Sequence, residues 1–286
     1  MKTGLIMEGG AMRGMFTAGV TDILMDSKIS FDGAIGVSAG AVFGCNYKSG
    51  QSGRVIRYNK RFCNDRRYCS FWSLLTTGDL YGADFCYRIL PEQLDPFDRK
   101  AYQQNPMEFH VVCTDMETGR PVYHQCHDGR TDDLKWMRAS ASIPVVSRPV
   151  AVDGRKLLDG GISDSIPVRY FESIGYRKNV IILTQPEDYI KQPLKILPLL
   201  RILYPRKKAL LHAIAHRYEV YNQTTEYIRQ LEKEGRAFVI RPRSSLNIGS
   251  VEHDPAELER VYQEGLQVMT GRLSALKAFL AQSSSS

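Results

Sequence analysis

Apolar and polar positions fall in blocks along this chain, and each block has the length and period of a strand or a helix. Residues 3–7 form a short apolar run stopped by Gly9 and Gly10, which predicts a buried first strand. Over residues 11–25, Met12, Phe16, Val20, Ile23 and Leu24 recur near a 3.6-residue period and predict an amphipathic helix. Residues 31–35 resume a strand and residues 39–47 a helix. Residues 109–113 and 121–125 predict a strand pair joined by a Glu117-Thr118-Gly119 turn. Residues 131–140 predict a short helix, with Thr131 as N-cap and Asp132 and Asp133 in its first turn. Residues 179–183 are continuously apolar, as in a strand buried on both faces.

After Pro186 the texture changes. Residues 194–203 are apolar and basic, and Pro193, Pro198 and Pro205 break them up. A long helical stretch at 207–234 and a late strand at 237–240 follow. Asp254, Pro255 and Glu257 then supply a cap, a first-turn proline and a carboxylate to open a closing helix that runs to about residue 281. No internal repeat is present. The strand-helix alternation predicts one α/β domain over residues 1–190, with a mainly helical C-terminal extension, 191–286, packed on the same core.

Composition narrows the class. The 286 residues are 43% hydrophobic and 24% charged, which excludes a disordered or collagen-like chain. No uncharged apolar run approaches the roughly 18 residues of a bilayer span, and Glu8 ends the first apolar run too early for a signal peptide. A cytoplasmic protein is expected, with its six cysteines reduced. The net charge of +7 is concentrated: residues 191–217 hold seven Lys or Arg and no carboxylate, and residues 54–67 hold six against Asp65. Such patches suit anionic headgroups or nucleic acid, and equally suit a solvated helix face.

Three short motifs carry candidate chemistry. Gly36-Val37-Ser38-Ala39-Gly40 is a G-x-S-x-G between a predicted strand and helix, where small neighbours let a serine sit on a sharp turn at a helix N-terminus. Gly9-Gly10-Ala11-Met12-Arg13-Gly14 occupies an earlier strand-helix junction, whose free N–H groups suit either a pyrophosphate or an oxyanion. A dinucleotide loop wants a glycine where Ala11 stands and an acid at the end of the second strand, whereas Asp32 lies near its beginning. Asp159-Gly160-Gly161 ends an apolar strand; in isolation it reads as a turn aspartate. None of the six histidines is placed as the base of a serine triad, and Ser38 comes too early for an α/β-hydrolase elbow. Metal is not expected at His110, Cys113, His124, Cys126 and His127, whose spacing follows strand alternation, and Asp115 reads as a turn cap. Tyr47, Phe71, Trp72, Leu74 and Leu75 suit core packing more simply than an acyl cleft.

Taken in order, these motifs resemble those of the patatin-like phospholipases, with Ala139-Ser140-Ala141-Ser142-Ile143-Pro144 similar to that family's A-S-x-x-x-P segment. The resemblance covers residues 3–185 and extends less clearly into the tail, which is similar to the accessory region of bacterial members. It departs from the family pattern at Ala11. It implies a three-layer α/β/α patatin-like sheet and a Ser38–Asp159 dyad that needs no histidine or cofactor. Asp159 would take the Ser38 proton while Gly10 and Ala11 N–H groups hold the oxyanion, and an acyl-enzyme would form and then hydrolyse. Arg13 is expected to brace the loop rather than meet a headgroup. The implied substrate is a phospholipid or lysophospholipid ester. The basic, apolar 194–206 run suits peripheral contact with an anionic inner membrane and equally a helix pair closing the core, and no nucleic acid is expected. A soluble carboxylesterase or thioesterase on the same fold, and a non-catalytic nucleotide-binding module, remain as alternatives.

Overall fold

The computed structural model describes residues 1–282; the last four of the extension's predicted residues lie outside that range. The elements run β1 (Lys2–Met7), α1 (Gly14–Asp26), β2 (Gly33–Val37), α2 (Ala39–Lys48), α3 (Arg54–Phe62), α4 (Phe71–Thr77), α5 (Arg99–Gln104), β3 (Glu108–Asp115), β4 (Pro121–Cys126), α6 (Thr131–Ser140), β5 (Val150–Val152), β6 (Arg155–Asp159), α7 (Val168–Ser173), β7 (Tyr176–Ile182), α8 (Leu197–Leu203), α9 (Lys208–Lys233), β8 (Ala237–Ile240) and α10 (Pro255–Ala281). The strands make one eight-stranded mixed sheet in the order β5-β6-β3-β2-β1-β7-β8, with β4 on β3. The stretch β3-β2-β1-β7-β8 is parallel.

Strand alternation sends neighbouring residues to opposite faces. Leu5, Met7 and Ala34 join a core with α1, α2 and α10, while Ile6, Ile35 and Val37 join a second with Phe171 of α7 and Tyr221, Ile228 and Leu231 of α9. Helices therefore cover both faces, giving three layers. The extension contributes to each: β8 adds a strand beside β7, α9 covers one face, and α10 packs along α1 on the other. The α1–α10 crossing is close because it is made at glycines. A methyl on Gly19 would lie 2.3 Å from the Tyr262 carbonyl oxygen, and one on Gly265 would lie 2.2 Å from that of Phe16. The Tyr262 hydroxyl then reaches Asp22 of α1 at 2.7 Å.

The arrangement around β3 positions the site. β4 runs along one edge of β3 over residues 109–114, so β2 and β6 must share the other edge. β2 uses it as far as Val37 opposite Val112, and β6 takes over at the next rung, with Asp159 opposite Cys113. The residue after Val37 therefore leaves the sheet where Asp159 arrives.

Several expectations shift. β2 starts at Gly33, two residues late, because Asp32 is tied to β1: its carboxylate takes the Thr3 N–H at 2.6 Å and the Thr3 hydroxyl at 2.9 Å. Thr131 does not cap α6; Arg130 occupies that place without a side-chain bond, and Asp133 instead takes the loop N–H groups of Asp128 and Gly129. Phe71, Trp72 and Leu75 are not core residues. α4 buries only Ser73, and these three side chains are 73%, 64% and 74% exposed. In the basic 54–67 stretch, Arg54 is buried on Asn46 and Asp95 while the other five cations are exposed. Asp115 caps its turn through Glu117 and Thr118 N–H groups, and all six cysteines are free thiols.

Candidate active site

Ser38 ends β2 and opens α2 with φ 54° and ψ −120°, a strained backbone that a non-glycine residue keeps only when its surroundings hold it there. The turn is tight enough to demand its glycines: a methyl on Gly36 would lie 2.2 Å from the Gly40 carbonyl oxygen, and one on Gly40 would lie 2.3 Å from that of Met7. Leaving the sheet would orphan the Ser38 N–H. Ser140, at the end of α6, prevents this. Its hydroxyl accepts from Ser38 N–H at 2.9 Å and donates to the Val112 carbonyl at 2.6 Å, replacing a missing rung of the sheet. Val37 is core and Ala39 begins the helix, both buried.

Asp159 is buried at the end of β6, where its backbone N–H is held by the Ser142 carbonyl at 2.8 Å. One carboxylate oxygen accepts the Gly161 N–H at 2.7 Å within the short 3₁₀ turn Gly160–Ile162. Burial pushes the carboxyl pKa up; the neighbouring Ser38 side chain, the Arg217 charge and the Gly161 N–H each pull it back part of the way. A carboxylate of raised proton affinity beside a hydroxyl is the pairing that base-assisted attack needs.

The loop over residues 9–14 closes the site from the β1 side. Gly9 lies against the Ser38 turn: a methyl there would be 2.8 Å from the Val37 carbonyl oxygen and 2.9 Å from Ser38 Cβ. Ala11 has φ 49°, the left-handed conformation that its missing glycine would have favoured. The Arg13 N–H is committed to the Gly10 carbonyl at 3.1 Å, whereas the Gly10 and Ala11 N–H groups have no acceptor among the described residues. Gly14 begins α1, and Met12 is buried. The buried Nε of Arg13 has no hydrogen-bond partner among the described residues.

Two chambers meet at Ser38. One, of about 230 Å³, is lined by Glu8, Gly9, Gly10, Ala11, Ser38 and Asp159, with further walls from the extension. The other, of about 390 Å³, is mainly apolar, with Val42, Phe43, Leu90, Phe97 and Met137 among its walls. Ala11, Ile143, Pro144 and Ile196 border both chambers. No histidine lines either one. A larger groove of about 720 Å³, between Trp72 and Arg138, contains none of the motif residues.

Sequence reasoning missed Ser140 as a backbone relay, although the segment containing it was noticed. It also missed Lys191 and Arg217, which line the polar chamber but carry no local motif. His124 and Cys126 of β4 and Asp133 of α6 bring ligand-type atoms within 4.8 Å of one another. Burial pushes the Cys126 thiol well up. One Asp133 oxygen already holds two backbone N–H groups.

Comparison with known proteins follows this geometry. The model of the patatin-like phospholipase family matches residues 5–172, and that of a domain of unknown function (DUF6363) matches residues 207–281. The uncharacterized protein YjjU of Escherichia coli (strain K12) is 29% identical over 260 residues, which cover 86% of this chain and 71% of that one. Lysophospholipase nte1 of Aspergillus oryzae is 27% identical over 60% of this chain, which spans only 11% of that protein. The uncharacterized NTE family protein Rv1063c of Mycobacterium tuberculosis is 29% identical over 58% of this chain and 44% of its own. The crystal structure of VipD from Legionella pneumophila aligns over 96% of this chain and 67% of that one, with TM-score 0.48 and 12% identity. With a family model matched across more than half its length, the chain belongs to the patatin-like phospholipase family.

Proposed function

We propose that the protein is a serine acyl-ester hydrolase acting on phospholipids or lysophospholipids, with Ser38 as nucleophile and Asp159 as its base. Family membership supports a lipid hydrolase in general, and one relative bears the name lysophospholipase. The observation that carries the finer reading is the rung shared across β3. Ser38 leaves the sheet, strained, where Asp159 enters it. In this reading the Asp159 carboxylate accepts the Ser38 proton as the oxygen attacks the ester carbonyl. The Gly10 and Ala11 N–H groups receive the developing oxyanion, each such donor being worth about 3–4 kcal/mol. The alcohol leaves with the proton held by Asp159. Water then attacks the acyl-enzyme, Asp159 takes a proton from it and returns it to the departing Ser38 oxygen, and the acid is released. The apolar chamber suits the acyl chain.

A nucleotide module gains no support, because Asp32 is occupied with Thr3 at the far end of β2. For the membrane face, Leu199, Ile202 and Leu203 of α8 are exposed beside Lys195, Arg201 and Arg206, which suits docking on an anionic bilayer. No helix among the described residues is long and apolar enough to cross a membrane.

The test is covalent labelling by a fluorophosphonate together with hydrolysis of long-chain lysophospholipid in micelles and of a short soluble ester. Labelling and micelle-stimulated turnover that both vanish in Ser38→Ala support the proposal. Turnover that ignores the micelle makes the protein a soluble esterase, and a folded protein that takes no label refutes a serine hydrolase.

A further inference from the structure

The groove of about 720 Å³ shares a wall with the apolar chamber at Ser38. That wall is built from α6 and from the π-helical segment Phe85–Leu94, which carries Pro91 inside it. Phe85 and Ile89 line the groove, Cys86 and Leu90 line the chamber, and Tyr87 lines both. On α6, Arg138 lines the groove, Met137 the chamber, and Leu134 both. π-Helical turns are rare and frequently mark functional sites. The groove has the size of a small-molecule pocket and an apolar floor. Phe85 is buried there, Ile89 and Leu134 are half-buried, and the exposed Trp72 of α4 forms one side. The Arg67 guanidinium stands 4.9 Å from the centre of the Phe85 ring.

Among the described residues, five cations line this groove against one carboxylate, Asp84. Four of them are matched: Arg67 by Asp65 at 2.7 Å, Arg88 by Asp84 at 2.5 Å, Lys135 by Asp132 at 2.9 Å and Arg138 by Asp79 at 3.0 Å. Arg66 is the fifth, exposed and in no ion pair among the described residues. The charge pattern selects the occupant. A polyanion or an anionic bilayer draws on several free cations at once, and here the others are already taken. One unmatched guanidinium at the lip of an apolar trough complements a single negative charge on the end of a long apolar body. A carboxylate fits the planar fork of arginine.

We propose that this groove is a second binding site, separate from Ser38, for a long-chain carboxylic acid, with the chain along Trp72, Phe85, Ile89 and Leu134 and the carboxylate at Arg66. The site does not depend on the acyl-hydrolase reading. Where that reading holds, the acid released from Ser38 is of the same chemical class, and the wall of Tyr87 and Leu134 sets its binding site directly across from the chamber in which it forms.

The test is calorimetric titration of Ser38→Ala with oleate below its micelle concentration, which keeps turnover out of the measurement. A single saturable site is expected. Trp72→Ala should weaken it about tenfold and Arg66→Gln up to about fivefold, while monoolein, the neutral counterpart, should be weakened by the first change alone. Both side chains are exposed, so the variants should keep the parent melting temperature. Dibromostearate should quench tryptophan emission, and should do so far less in Trp72→Phe, where only the buried Trp136 remains. No saturable binding, or equal quenching in Trp72→Phe, overturns the site. An affinity indifferent to Trp72→Ala seats the acid in the apolar chamber and overturns it as well. Equal weakening of oleate and monoolein by Arg66→Gln overturns the carboxylate assignment. Dissolved acid that fails to bind while vesicles of brominated phosphatidylcholine quench Trp72 overturns the site in favour of a bilayer contact. Ester hydrolysis by the wild type is a separate readout, so either reading can fail without the other.

Discussion

Ser140→Ala is the most informative single change, because it removes one oxygen that touches neither Asp159 nor the oxyanion loop. Ser140 is fully buried, and its hydroxyl is the acceptor for Ser38 N–H at 2.9 Å and the donor to the Val112 carbonyl at 2.6 Å. The space vacated is one oxygen atom, too little for a replacement water. Two buried backbone groups are then unmatched, each costing about 1–3 kcal/mol. Allowing for partial relaxation, the native state should lose about 2–4 kcal/mol. Ser38 also loses the bond that holds its positive φ, so part of the 1–3 kcal/mol stored there is released by moving the hydroxyl away from its attack line. A displacement of about 1 Å should lower kcat some 100-fold with KM little changed. Ser142→Ala is the control: its hydroxyl donates only to the Arg138 carbonyl, which already accepts the Ala141 N–H. It should cost under about 1 kcal/mol. Urea unfolding followed by fluorescence and steady-state ester hydrolysis measure both variants. Equal stabilities for the two alanine variants, or Ser140→Ala with undiminished kcat, would refute the view that this relay holds the elbow.

Asp159 makes activity and stability depend on pH in opposite senses. Its pKa is raised above the ordinary 3.8, so the folded state binds this proton more tightly than the unfolded chain does. Stability from that proton is fully present at low pH and is lost as pH rises through the folded value, while turnover needs the ionised form. The acid limb of kcat/KM should therefore lie above the range of an ordinary aspartate, and should move higher in Arg217→Gln, because the Arg217 charge favours the carboxylate. Asp159→Asn should abolish hydrolysis yet melt above wild type at pH 7, with the gap closing on acidification; a lower melting temperature would contradict it. Gly9→Ala should lower kcat/KM about 100-fold, since its methyl must displace Val37 or Ser38; near-normal kinetics would mean that the loop does not abut the nucleophile. Lys195, Arg201, Arg206 and Lys208 changed together to Gln should weaken sedimentation with anionic vesicles at least about tenfold, and unchanged sedimentation would reject α8 as a docking face. Lys207 is left out because it pairs with Glu117.

What was legible in the sequence was whatever is written locally. The three motifs carry their own turn chemistry, and strands such as 237–240 and helices such as 131–140 announce themselves by period. The partnership between the motifs was not written there, since it depends on β6 taking the edge of β3 that β2 gives up. Ser140 is one small residue in a run of them, and its role exists only once α6 lies under the elbow. Lys191 and Arg217 looked like members of a basic surface stretch; burial in the chamber separates them from Lys195 and Arg201, which remain exposed. α4 misled for the opposite reason. Phe71, Trp72 and Leu75 are apolar enough for a core, but a seven-residue helix that buries one serine offers them none.

The glycine-to-backbone crossing of α1 and α10 has a kinetic corollary. Tyr262 and Asp22, bonded across it, are 240 positions apart, so this seam is among the most expensive contacts for a diffusing chain to find. The loop over residues 9–14 leads directly into α1. Refolding protein should therefore recover its secondary structure well before its catalytic power, passing through a compact, inert species in which the loop waits for a remote helix to dock.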